Sequence, residues 1–187
     1  MYEKLVSHKP SSFCENYLVF PAAQFAYTQP YRKGLGCTDA LLTISHVQKS
    51  LDVGMEPYIV LLGFTAAFDR VSYSGLLIKL KSIGVDGRVL SICTEFLSDR
   101  RQRVVVDGDA SEWIPIISGV LQGSVLGTLL FILYTSEMFE LVKNRLFAYA
   151  DDSTLLTDVR KPANRPAVAA SLNRDLARIQ ASYVLRS

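Results

Sequence analysis

The stretch FAYADDSTLL, Phe147 to Leu156, sets two adjacent carboxylates, Asp151 and Asp152, between two apolar runs. Asp is a common turn former, so a pair in a hairpin turn can be purely structural. The apolar flanks point further. Two ionised carboxylates side by side repel, and holding them against a sheet costs stability unless a cation neutralises them. Hard oxygen ligands of this kind suit magnesium, which uses one or two carboxylates together with substrate phosphates. Two-ion phosphoryl transfer sets the metals ~3.5–4 Å apart and clamps the attacking and leaving oxygens. Such a site requires a further carboxylate, at the end of a different apolar strand.

The elements that would position these groups can be read from periodicity. Thr38 suits a helix N-cap with Asp39 in the first turn, and Leu41, Ile44, Val47 and Leu51 recur at helical spacing. Tyr58 to Phe64 (YIVLLGF) is a short, β-rich apolar run and reads as a buried strand. An amphipathic helix marked by Tyr73, Leu76, Leu77, Leu80 and Ile83 stops at Gly84, and another spans about Arg88 to Leu97. Gln102 to Val106 and Glu112 to Ile117 flank DGDAS, a hairpin signal. The glycine-punctuated loop SGVLQGS leads into one apolar helix, about Val125 to Leu141, with Leu126, Leu129, Leu130 and Leu133 as core. Leu146 to Thr157 reads as a hairpin with the carboxylates at its tip, and a last helix follows the loop Lys161 to Pro166. Strands and helices interleave without regular βαβ alternation, so the fold class is α+β.

The strand most able to supply a third carboxylate is YIVLLGFTAAFDRV, Tyr58 to Val71. Read with SGVLQGSVLGTLLF and FAYADDSTLL, it resembles the reverse transcriptase domain of LINE-type (non-LTR) retrotransposons, from roughly Gln24 to Gln180. The resemblance implies a right-hand polymerase palm, an antiparallel sheet backed by helices, over 58–187. It implies partial fingers over 1–57, with the thumb and an endonuclease domain not carried. In that family an Asp stands at the place of Gly63, so the expected third ligand is missing. Asp69 is no simple substitute, because the family keeps an Asp there as well as the catalytic one.

The resemblance implies roles for other residues. Asp151 and Asp152 would be the catalytic metal ligands for Mg2+, with binding weakened by Gly63. Phe68 would exclude a ribose 2′-hydroxyl and select deoxynucleoside triphosphates; its alternative is a core aromatic. Gln122 would approach the template or incoming nucleotide, in a loop where Leu121 and Thr128 replace the family's prolines. Arg32 and Lys33 match a fingers pair that contacts the triphosphate. Arg100, Arg101 and Arg103 form a cluster that would neutralise phosphates of nucleic acid, or else a solvated face. The partners implied are an RNA template and a DNA primer, and the reaction is attack of a primer 3′-hydroxyl on an α-phosphate. With Gly63 in place this copy is expected to be impaired. The alternatives are a non-catalytic nucleic-acid-binding relic and a pseudogene product without function.

Composition narrows the classes. Hydrophobic residues are 49% and charged residues 20% of the 187, which excludes a disordered chain. Mean hydropathy is +0.20, yet the most apolar run, Val125 to Tyr134, is about half the ~20 residues that span a bilayer. No membrane association is expected, and no secretory signal follows Met1, so a nuclear or cytoplasmic location is expected. Net charge is only +2, so an acidic partner must be met by local patches. The three cysteines and two histidines show no metal-ligand spacing.

Overall fold

The computed structural model describes residues 21–26 and 41–184. Arg32, Lys33 and the helix start expected at Thr38 lie outside these residues. The first described helix, α1, spans Leu42–Asp52. It leads into strand β1 (Glu56–Gly63), then helices α2 (Tyr73–Ser82) and α3 (Gly87–Leu97). Four two-residue strands follow: β2 (Arg101–Gln102), β3 (Val105–Val106), β4 (Asp109–Ala110) and β5 (Ile114–Pro115). Helices α4 (Val125–Thr135) and α5 (Met138–Leu141), strands β6 (Arg145–Tyr149) and β7 (Asp152–Val159), and helix α6 (Arg165–Val184) complete the order.

The main sheet is antiparallel, in the order β1-β7-β6. Its edge position lets β1 carry Pro57, which cannot donate to a ladder. Alternation along β1 turns Tyr58, Val60 and Leu62 inward, where they meet Leu146, Leu155, Leu172 and Ile179 of β6, β7 and α6. The other face is open, with Leu61 78% exposed. A second core surrounds α4, whose Leu126, Leu129, Leu130 and Leu133 are all at most 1% exposed against α2 and α3. A helix apolar all round must be buried, and this one is.

Local chemistry accounts for most boundaries. Ser72 and Ser124 cap α2 and α4 by accepting from the amides of Gly75 and Gly127. Gly84 takes a φ of +86° and ends α2 where its sequence position suggested. The helix expected from Val125 to Leu141 is instead broken into α4 and α5. Thr135 Oγ1 bonds the carbonyls of Phe131 and Ile132, and Ser136 Oγ bonds that of Leu133. Such side-chain bonds to carbonyls one turn back bend or end a helix. The hairpin turn narrows from DGDAS to Asp107–Gly108, with φ of +51° and +94°, the left-handed pair a two-residue turn requires.

The helical spacing is borne out, but the apolar stripe of α1 stays largely open among the described residues: Leu41, Ile44 and Leu51 are 57, 64 and 53% exposed, and Val47 is half-buried. The helix is held instead by polar contacts, with His46 Nε2 3.0 Å from the Asp158 carboxylate of β7.

Two carboxylates fix the far side of the sheet. Asp175 of α6 is 1% exposed and accepts from the amides of Lys143 and Asn144, from Asn144 Nδ2 and from Arg178. Burial pushes its carboxyl up, but these donors outweigh burial and hold it below the usual carboxylate range. Glu56 takes a two-pronged contact from Arg165, at 2.9 and 2.6 Å, which ties the start of α6 to β1. Burial pushes the Cys93 thiol up to about 11, so it is an inert core group.

Candidate active site

The ladder between β1 and β7 aligns Gly63 with Asp152, and the ladder between β6 and β7 aligns Tyr149 with Asp152. Residues directly opposite on antiparallel strands face the same side, so Gly63, Asp152 and Tyr149 form one row across the open face. Asp151 lies in the two-residue turn with Ala150, whose φ is +58°. The carboxylates therefore differ in setting, one in the turn and one at the first position of β7. Asp152 also borders an apolar groove of about 350 Å³, with Ile59, Leu61 and Phe147 along it.

Gly63 faces open space: a Cβ built there meets no atom within 4 Å, and its backbone is not in the left-handed region. The position would accept a side chain without strain, aimed at the same side as Asp152. Among the described residues no group of three or more His, Cys, Asp or Glu could hold a metal ion. The residues present thus do not make a complete divalent-cation site.

A residue that pattern reading missed holds the acidic turn. Gln24 is 1% exposed, and its main chain forms a parallel bridge with Ala148 of β6. Its amide group spans the turn, donating to the Ala150 carbonyl and accepting from the Ala150 amide, both at 3.2 Å. It also accepts from the Ala26 amide. A buried polar side chain that satisfies both backbone groups of one turn residue fixes that turn's geometry. The sequence carried no local signal, because 126 residues separate the partners. Replacement by the similar-sized Met, Gln24→Met, leaves these groups unpaired and is expected to cost about 2–3 kcal/mol. Urea unfolding measures that cost, and faster hydrogen exchange at the Ala150 amide locates it.

The remaining motifs converge on the segment that follows β1. The Gly119 amide donates to the Val71 carbonyl and the Val120 amide to that of Phe68, both at 2.8 Å, and Ser118 Oγ donates to the Asp69 carbonyl. The SGVLQGS loop is therefore pinned to the AFD turn, just beyond Gly63. Gln122 is exposed on that loop. Phe68 is 7% exposed and stacks on Phe131, with ring centroids 4.1 Å apart, so its ring is committed to the α4 core.

The arginine cluster separates. Arg100 donates to the Gly119 carbonyl at 2.7 Å and to Tyr73, bracing the same loop from inside. Arg103 lies over the Trp113 ring at 4.7 Å, and Arg101 is exposed. Arg100 Nη1 is thus engaged within the chain, while Arg101 and Arg103 lie on the exposed segment that follows.

An antiparallel sheet with a carboxylate hairpin on its open face, backed by helices and closed by a glycine loop, is the palm arrangement of a nucleic-acid polymerase. The chain belongs to the family described as reverse transcriptase (RNA-dependent DNA polymerase), whose model matches residues 12–181. It is 28% identical to the probable RNA-directed DNA polymerase from transposon BS of Drosophila melanogaster, over 83% of this chain and 18% of that protein. It is 38% identical to the RNA-directed DNA polymerase from mobile element jockey of the same organism, over 51% of this chain and 11% of that protein. These relatives bear out the LINE-type resemblance. The chain spans under a fifth of the length of either. A solved structure of apo telomerase from Candida Tropicalis covers 72% of this chain and 30% of its own, with a TM-score of 0.49 and 17% identity. A likeness at that level carries no argument. Among the described residues no helix is long and apolar enough to cross a membrane.

Proposed function

We propose that this chain is the palm of an RNA-directed DNA polymerase whose metal site is incomplete, so that it is catalytically impaired as it stands. Residues 58–187 form the palm in this reading, and 1–57 belong to the fingers. The observation that carries it is the row across the open face, in which Gly63 stands opposite Asp152 with space where a third carboxylate would project. Asp151 and Asp152 are the remaining ligands for Mg2+. That ion, when bound, would neutralise charge on the reacting phosphates. The chain's own contribution is positional: Gln24 holds the acidic turn, and the bonds from 118–120 to 68–71 fix the loop on which Gln122 would meet a template or incoming nucleotide. Arg32 and Lys33 would meet the triphosphate. Phe68 would shape the sugar pocket from behind, through its packing on Phe131, rather than as a free wall.

Primer extension on an RNA template, with a DNA primer and all four deoxynucleoside triphosphates, tests the reading. The expected result is no product in Mg2+ or Mn2+, together with salt-sensitive binding of the primer–template. Product that disappears with Asp151→Asn would show that the two carboxylates suffice. Failure to bind primer–template at low salt would remove the polymerase reading of this chain and leave a relic without function.

A further inference from the structure

The segment 101–117 stands out from the body as a β-arm. Two short ladders, Arg101–Gln102 with Ile114–Pro115 and Val105–Val106 with Asp109–Ala110, are joined through Val104 and Ser111. Every residue from 101 to 115 is exposed. That exposure includes Val104, Val105, Val106, Trp113 and Ile114, each between 55 and 65% open, and Trp113 is the chain's one tryptophan. Two-stranded ribbons are marginal in water by themselves, and their outer edges present unpaired backbone groups that invite a further strand.

Charge along the arm is polar. The base carries Arg101 and Arg103, with Glu112 on the facing strand near Arg103, and the tip carries Asp107 and Asp109. At about 3.3 Å per residue the base-to-tip distance runs from roughly 10 Å, Arg103 to the level of Asp109, to roughly 20 Å, Arg101 to Asp107. That exceeds the Debye length of about 8 Å at physiological salt, so base and tip do not neutralise each other within one arm. Laid side by side about a two-fold axis, two arms bring the acidic tip of each against the basic base of the other. The same operation pairs the valine-rich edges, as an isologous contact requires.

We propose that this arm is a self-association surface and that its occupant is the arm of a second copy of the chain, paired edge to edge with tip against base. Nucleic acid fits it less well, since much of its exposed length is apolar and its tip carboxylates repel phosphate. The contact is independent of the carboxylate site and does not rest on the polymerase reading.

Reciprocal charge reversal tests it. In sedimentation velocity the chain is expected to show a concentration-dependent dimer that weakens as salt rises. The tip variant Asp107→Asn/Asp109→Lys and the base variant Arg101→Glu/Arg103→Glu each set like charges against each other, and each is expected to weaken self-association at least tenfold. Asn is chosen at 107 because it tolerates the φ of +51° there. Mixing the two variants restores opposite charges at both ends, and a mixed dimer is expected. Its recovery also shows that both variants are folded. A chain that stays monomeric at every concentration would overturn the proposal, as would dimers unaffected by either variant or no recovery on mixing. So would an arm whose double arginine substitution abolishes oligonucleotide binding while leaving the dimer intact.

Discussion

Gly63→Asp is expected to lower the stability of the chain in the absence of divalent cations and to raise it in their presence. In register with Asp152, the new carboxylate would sit with its Cβ about 4.5–5.5 Å from that of its partner. Like charges directly opposite on a sheet destabilise, and Asp151 in the adjoining turn adds to the repulsion. Against this, any residue other than glycine gains roughly 0.5–1 kcal/mol of backbone entropy in a strand. The position is open to 4 Å, so no packing cost enters. With each neighbouring carboxylate contributing up to about 1 kcal/mol of repulsion, the net effect in chelator at neutral pH is a loss of at most about 1 kcal/mol, which acid should relieve. With Mn2+ the sign reverses. A ligand at about a hundred times its dissociation constant stabilises the folded state by about 2.7 kcal/mol.

Calorimetric titration with Mn2+ alone is expected to show at least a tenfold gain in affinity for Gly63→Asp over the chain as it stands. Both effects should vanish in Gly63→Asp/Asp152→Asn. Equal Mn2+ affinity in the Gly63→Asp variant and the unaltered chain would mean that this row is not a cation site. Activity is the larger effect but the later readout. Each ~1.4 kcal/mol of recovered transition-state stabilisation is tenfold in rate, and a restored ligand supplies several such steps. With the rest of a related polymerase supplied, extension is expected from the Gly63→Asp variant and not from the chain that keeps Gly63.

Gly119→Ala is expected to be the most damaging small substitution in the loop that faces the AFD turn. Gly119 has a φ of +85°, and a Cβ there would lie 2.7 Å from both the Cα and the carbonyl oxygen of Asp69. All of the nearest atoms are backbone, so no side chain can swing away. Relief requires breaking the bonds from Gly119 and Val120 to Val71 and Phe68, and it displaces the carbonyl that Arg100 holds. Left-handed strain of roughly 1 kcal/mol, added to overpacking of about 1–3 kcal/mol, gives an expected loss of about 3 kcal/mol. A loss of that size is a large share of the roughly 5–15 kcal/mol available to an ordinary domain. The control is close by. Gly123 has the same φ of +85°, but a Cβ there meets nothing within 4 Å. Gly123→Ala is expected to cost only the strain, about 1 kcal/mol, so urea midpoints should rank native, Gly123→Ala, Gly119→Ala. Equal costs for the two alanines would mean that the contact with Asp69 is not tight in solution.

Much of this molecule is written locally, and those parts were legible. The β-rich run YIVLLGF is β1 within two residues, although its unbroken apolar character read as a buried strand and only one of its faces is covered. FAYADDSTLL encodes its own hairpin, since residues able to adopt a tight turn stand between two β-rich runs. Gly84 marks a helix end because such a stop involves groups within a few residues. The order of motifs also drew attention to Gly63, through the resemblance they carry. Tertiary structure decided the rest. Which face of β1 Gly63 occupies, and that it stands opposite Asp152, depends on a register set by packing against α6. The periodic stripe of α1 marked a helix, but folding decided that its Ile44 and Val47 border the groove over Ile59 and Leu61, because periodicity reports a face and not its partner. Arg100 read as one of three clustered cations; its Nη1 donates to the Gly119 carbonyl, which only folding brings near. Gln24 is the strongest case. A single glutamine in a stretch without any clear motif becomes the clamp on the acidic turn because β6 runs beside it, a contact made across 126 residues that no local pattern encodes.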